Sequence, residues 1–96
     1  MSPEKQKKLN KIRSQLDTLD NSLIKLIKKR TELVKKVLKL KEYKNQIVDK
    51  KRIKFILTQI KKKSIKNKID PKITNRIWKN MILSYIDYEK RNFKKK

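Results

Sequence analysis

The sequence predicts an all-α protein with three helices per chain, the first very long. Two observations carry that expectation. Residues 12–41, IRSQLDTLDNSLIKLIKKRTELVKKVLKLK, run for thirty residues without proline or glycine. The apolar residues Leu9, Ile12, Leu16, Leu19, Leu23, Leu26, Leu33, Val37 and Leu40 recur in steps of three, four and seven, which is one stripe on an α-helix. No β signal competes, because alternating stretches are short and a chain with no glycine lacks hairpin turn chemistry.

Residues 1–8 are a charged lead-in, and Ser2-Pro3-Glu4 is a helix start because proline is pre-shaped for the first helical position. The first helix is expected over about residues 4–43. At ~1.5 Å per residue it is a rod of ~60 Å, whereas a compact chain of this length has a radius of gyration of ~12 Å. One chain cannot cover both flanks of that rod. A two-fold homodimer with the long helices packed along each other follows.

Residues 43–48, YKNQIV, break the period and read as a loop. Asp49 then caps a second helix running to about residue 63, with Ile53, Ile56, Leu57 and Ile60 as its buried stripe. Residues 64–69 read as a connector in which Asn67 takes the left-handed position that glycine usually fills. Asp70-Pro71 opens a third helix to about residue 92, whose inner face is Ile73, Ile77, Trp78, Met81, Ile82, Tyr85 and Glu89. The terminal FKKK, like the other end of the chain, is expected to fray. No repeat or linker is visible, so residues 1–96 are expected to form one domain with its core over about 9–92.

Composition narrows the chemistry. Cysteine and histidine are absent, which rules out disulfides, Cys/His metal sites, thiol nucleophiles and imidazole bases. No metal or other cofactor is expected. The start has no apolar export segment and no run reaches the ~20 apolar residues of a membrane span, so the expectation is a cytoplasmic protein with no membrane partner. The formal charge is +22, from 31 basic and 9 acidic residues, and such a surplus raises the question of nucleic acid. The cations are spread over every segment, and 26 of them are lysine. They read as a lysine bias on solvated faces, whereas phosphate-reading surfaces favour arginine for its fork geometry. Nucleic acid is therefore not expected as a partner.

A few polar residues depart from that background. Arg30 occupies a step of the apolar stripe, where an isolated cation costs several kcal/mol, so it is expected to meet an anion. Lys41, eleven residues on, returns to within roughly 20° of the same face, about 16 Å along the axis, with Val34 and Val37 between them. Arg13 points roughly 100° away from Arg30 and is able to serve only a neighbour's pocket. Arg52 lies one turn past the cap of the second helix. Glu89, one turn beyond Tyr85, is either a core ion-pair partner for Arg30 or faces a bound anion. In the second case nearby negative charge and desolvation leave it protonated and able to donate a hydrogen bond. Any one of these side chains is readily explained as solvated or buried along its stem; taken together they suit a small polyanion.

The ordered set R-S-Q-L-D-T-L-D from Arg13, K-K-R ending at Arg30, Lys41, D-K-K-R from Asp49 to Arg52, Asp70-Pro71, and Tyr85 with Glu89 resembles the all-helical (class II) chorismate mutases over about residues 9–92. The resemblance implies an intertwined homodimer that rearranges chorismate to prephenate for aromatic amino-acid biosynthesis. It implies that Arg13 enters the partner protomer's site, Arg30 binds a substrate carboxylate, and Lys41 and Glu89 donate to the ether oxygen. Asp49 and Arg52 would form the rim around the ring hydroxyl, with Tyr85 on the inner wall. One position departs from the family pattern, which has Arg-Glu where this chain has Arg52-Ile53. An aliphatic residue there, together with Tyr85, is similar to the related isochorismate pyruvate lyases. A reading from another class, resting on charge alone, is a basic helical nucleic-acid-binding or scaffold dimer, and it leaves Arg30 unexplained.

Overall fold

A computed structural model describes residues 1–95. Its elements are α1 (Pro3–Leu40), a single 3-10 turn (Lys44–Gln46), α2 (Lys50–Lys66) and α3 (Pro71–Asn92), and no strand occurs among the described residues. The chain divides into two compact units, Met1–Leu33 and a second one that begins at Val34.

The first unit is the leading part of α1. It is helical from Pro3 onward instead of fraying, and the Ser2 hydroxyl accepts from the Lys5 amide at 3.2 Å, as a capping residue does. Its apolar stripe is uncovered: Ile12, Leu16, Leu19, Leu23, Leu26 and Leu33 are each more than half exposed. A lone helix has nothing to lay such a stripe against.

The second unit holds the end of α1, the connector and the α2/α3 hairpin. α1 stops at Leu40, three residues short of expectation. The connector offers its backbone other partners: Gln46 Oε1 accepts from the amides of Glu42 (2.7 Å) and Tyr43 (2.9 Å). The tightened turn drives Ile47 inward, where it is 3% exposed and the most buried apolar side chain described.

α2 begins as expected, with Asp49 Oδ1 accepting from the Arg52 amide at 3.0 Å. It runs three residues past the expected end, taking in Ser64. A serine inside a helix must place its hydroxyl; here Ser64 Oγ lies 2.6 Å from both the Ile60 carbonyl and Thr74 Oγ1 of α3. That small, satisfied pair lets the two helices approach closely. The helix ends in a Schellman motif, with Ile69 N–H on the Ser64 carbonyl (2.8 Å) and Lys68 N–H on that of Ile65 (3.1 Å). Lys68, at φ 56°, takes the left-handed position expected of Asn67. Asn67 is instead the cap residue before it, its side-chain amide donating to the Lys63 carbonyl at 2.8 Å.

α3 opens on Asp70, whose Oδ1 accepts from the Lys72 amide at 2.9 Å, with Pro71 in the first turn. Its inward residues are Trp78, Met81, Ile82, Tyr85 and Glu89. Ile73 and Ile77, expected on that face, are more than half exposed, while Thr74 and Ile86 are partly covered. The α2 stripe of Ile53, Ile56, Leu57 and Ile60 is half-buried. Among the described residues only Ile47 and Ile82 are buried apolar side chains, alongside the polar Ser64 and Glu89.

Candidate active site

Two expected site residues meet in the second unit. Lys41 is the residue after the end of α1, and Glu89 sits in the last turns of α3. Lys41 Nζ donates to Glu89 Oε1 at 2.9 Å, with side-chain exposures of 17% and 7%. A carboxylate near a helix C-terminus opposes the helix dipole, and one this deeply buried is costly unless a cation shares its site. Lys41 answers both demands. Lys41 is thus a cation paired with Glu89, a pairing that sequence reasoning did not name.

Lys41 also lines a hollow of ≈ 650 Å³ together with Gln46, Val48, Asp49, Lys50 and Lys51. Two expected site residues, Lys41 and Asp49, therefore face one space at the start of α2. Three lysines against one carboxylate, next to a helix N-terminus, make that space electropositive. Asp49 is already engaged as the α2 cap through one of its oxygens. Arg52, exposed one turn on, lays its guanidinium 5.3 Å from the Phe55 ring centroid, a cation–π distance. Tyr85 is half-buried on the inward face of α3, one turn before Glu89. Arg13 and Arg30 belong to the first unit, Arg13 exposed and Arg30 partly covered.

A larger groove, ≈ 870 Å³, lies along α2 and α3 over Ile53, Leu57 and Pro71, with Lys54, Lys61 and Lys72 on its rim. Size favours this groove, but chemistry favours the smaller hollow. The groove contains none of the expected charged site side chains, although Ile53, the position that departs from the family pattern, is on its apolar floor; Lys41, which holds the buried Glu89 carboxylate, lines the hollow.

Sequence reasoning missed Gln46 and Ile47. Gln46 ties down the backbone immediately after Lys41, and Ile47 anchors the connector that joins Lys41 to Asp49. The available signal was the aliphatic pair Ile47-Val48 inside a largely polar loop.

Chemically, the arrangement supplies an ammonium donor, a carboxyl group and a cationic pocket. It is suited to gripping and polarising an anion, and the chain has no thiol or imidazole for nucleophilic work. No described helix is long and apolar enough to cross a membrane.

Comparison with known proteins supplies the family. No curated protein and no solved structure matches the chain. The family model for chorismate mutase type II, however, matches residues 12–90, from the first third of α1 to the end region of α3, and the chain belongs to that family.

Proposed function

We propose that the chain is a chorismate mutase, converting chorismate to prephenate in a cytoplasmic homodimer that serves aromatic amino-acid synthesis, with residues 1–96 acting as a single domain. The observation that carries the reading is the buried Lys41–Glu89 pair beside a cation-lined hollow. The rearrangement is pericyclic, so it needs neither nucleophile nor cofactor. It gains from holding the dianion folded and from donors placed where the breaking C–O bond gathers negative charge.

In this reading Lys41 donates to the ether oxygen. The Glu89 carboxyl supplies a second hydrogen bond to the same atom. Arg30 holds a carboxylate, Arg52 and Asp49 close the rim, Tyr85 lines the wall, and Arg13 is supplied by the partner protomer. The uncovered stripe of α1 supports the homodimer, since six aliphatic side chains more than half exposed on one helix mark a surface that association covers.

Ile53 supports a second reading on the same scaffold. It is half-buried and aliphatic, where a mutase of this family carries a glutamate for the substrate hydroxyl, and it favours an isochorismate pyruvate lyase. Incubating the purified protein with chorismate and with isochorismate side by side separates the two. Prephenate from chorismate is the expected result; pyruvate from isochorismate alone would reassign the reaction, and turnover of neither would remove the enzymatic reading.

A further inference from the structure

A third hollow in the second unit holds none of the residues placed in the proposed active site. It measures ≈ 450 Å³ and lies between the end of α1, which gives it Lys35, Leu38 and Lys39, and the end of α3, which gives it Tyr88 and Asn92. Lys94 and Lys95 complete its wall. Phe93 keeps them there. Its backbone turns extended as α3 ends, at φ −66° and ψ 129°, yet the residue stays half-buried, so the tail is held against the fold where fraying was expected.

The simplest account of lysines at this place is compensation of helix dipoles. Each helix C-terminus carries about half a negative charge, so the two that end here ask for about one cation. Four are present, and no carboxylate is among the described residues that line the hollow. The two hollows described above each include one, Asp49 or Asp70. The acidic residues near the end of α3 are already engaged, Asp87 by Arg91 at 2.8 Å and Glu89 by Lys41 at 2.9 Å. Lys35 and Lys39 are moreover one turn apart on α1, a like-charge spacing that destabilises a helix. An anion bound among the four relieves that repulsion.

The uncharged lining says what kind of anion. Leu38 and Tyr88 are half-buried, and the Arg91 guanidinium, 6.0 Å from the centroid of the Tyr88 ring, is within cation–π reach and helps to hold the ring. Asn92 donates from its amide nitrogen to the Tyr88 carbonyl at 2.8 Å and keeps its Oδ1 as an acceptor. An inorganic anion uses neither the ring nor that oxygen. A ligand with several negative charges and a flat ring bearing an amine uses both.

We infer that this hollow binds a nucleoside phosphate, its base against Tyr88 and Leu38, an exocyclic amine on Asn92 Oδ1, and its phosphates among Lys35, Lys39, Lys94 and Lys95. Lysine serves here as a point charge, which suits a phosphate chain that presents no single fork geometry. The volume falls within the ~300–1,000 Å³ of small-molecule sites. A nucleic-acid strand fits less well, because strand-binding grooves stack successive bases on several aromatic side chains and this hollow offers one. The site is separate from the proposed catalytic one, although Lys39 is two residues before Lys41 and Tyr88 one before Glu89. It stands whichever reaction the chain performs.

The test is isothermal titration calorimetry on the full-length chain at ~0.15 M salt, where exposed charges are screened beyond ~8 Å, with ATP and inorganic triphosphate as probes. ATP is expected to bind at one site per chain, roughly tenfold tighter than inorganic triphosphate, which lacks the base. Lys35→Gln/Lys39→Gln is expected to weaken ATP by roughly tenfold or more. Lys62→Gln/Lys66→Gln, equally exposed and equally spaced on α2, is expected to change it by less than about twofold. Tyr88→Leu is expected to bring ATP down to the level of inorganic triphosphate and to leave the latter unchanged. Circular dichroism confirms that each variant is folded. Absence of saturable ATP binding overturns the site, and equal losses in the two lysine pairs overturn it by reducing the binding to the chain's overall charge. Inorganic triphosphate binding as tightly as ATP overturns the nucleoside.

Discussion

Lys41 and Glu89, 48 residues apart in sequence, are joined at 2.9 Å in a part-buried ion pair of the second unit. The pair ties the end of α1 to the last turns of α3. It also sets a condition on any experiment at Lys41, because the cation proposed to serve a ligand also shields a carboxylate with 7% of its side chain exposed.

Lys41→Ala is therefore expected to cost stability as well as turnover. Removing one member of a buried pair strands the other, at about 3–5 kcal/mol. Urea unfolding measures the loss, and Lys41→Ala/Glu89→Gln, which leaves no stranded charge, is expected to recover most of it. A loss below about 1 kcal/mol in the single variant would mean that water reaches Glu89.

Glu89→Gln separates the structural role from the catalytic one. The amide keeps a hydrogen-bond donor for the ether oxygen. Turnover is expected to survive in Glu89→Gln and to fall by roughly a hundredfold in Glu89→Ala, which has no donor there. Equal turnover in the two variants would count against a donor at this position.

Gln46 holds two backbone amides with one oxygen. Gln46→Met, similar in length but without that acceptor, is expected to lose about 1–2 kcal/mol and to lower kcat, because the chain leaving Lys41 loosens. Gln46→Glu keeps an acceptor and is expected to restore both. If Met and Glu behave alike, the two bonds do not matter.

Ile53→Glu tests substrate choice. A glutamate that reaches the ring hydroxyl is expected to raise kcat/KM for chorismate by roughly tenfold, the worth of about one good hydrogen bond. A fall for chorismate, with any pyruvate release from isochorismate retained, would favour the lyase reading.

Much of the fold was legible because the signals are local. Asp49 and Asp70-Pro71 marked two helix starts through chemistry confined to three residues, and the long period of α1 survives any tertiary context. The misplaced boundaries were tertiary in origin. Ser64 extends α2 because Thr74, ten residues away, stands beside its hydroxyl, and α1 ends early because Gln46 reaches back. Lys68 in a left-handed conformation follows from the spacing of the Schellman bonds, against the preference for Asn67. At the site, Lys41 and Glu89 were each picked out as departures from a pattern. Their pairing was not, since periodicity orders residues within one helix and says nothing of what faces them from another. The same limit applies to the α1 stripe: spacing identifies an apolar face but does not say which surface covers it.

Two aliphatic side chains, Ile47 and Ile82, are all the buried apolar core described for a single copy, too little to hold a 96-residue chain folded unaided. In the proposed homodimer folding and association become one event, and the melting midpoint is expected to climb as the sample is concentrated. Diluted far enough, such a dimer would unravel as it separates. In a cell, its output would then fall faster than its copy number.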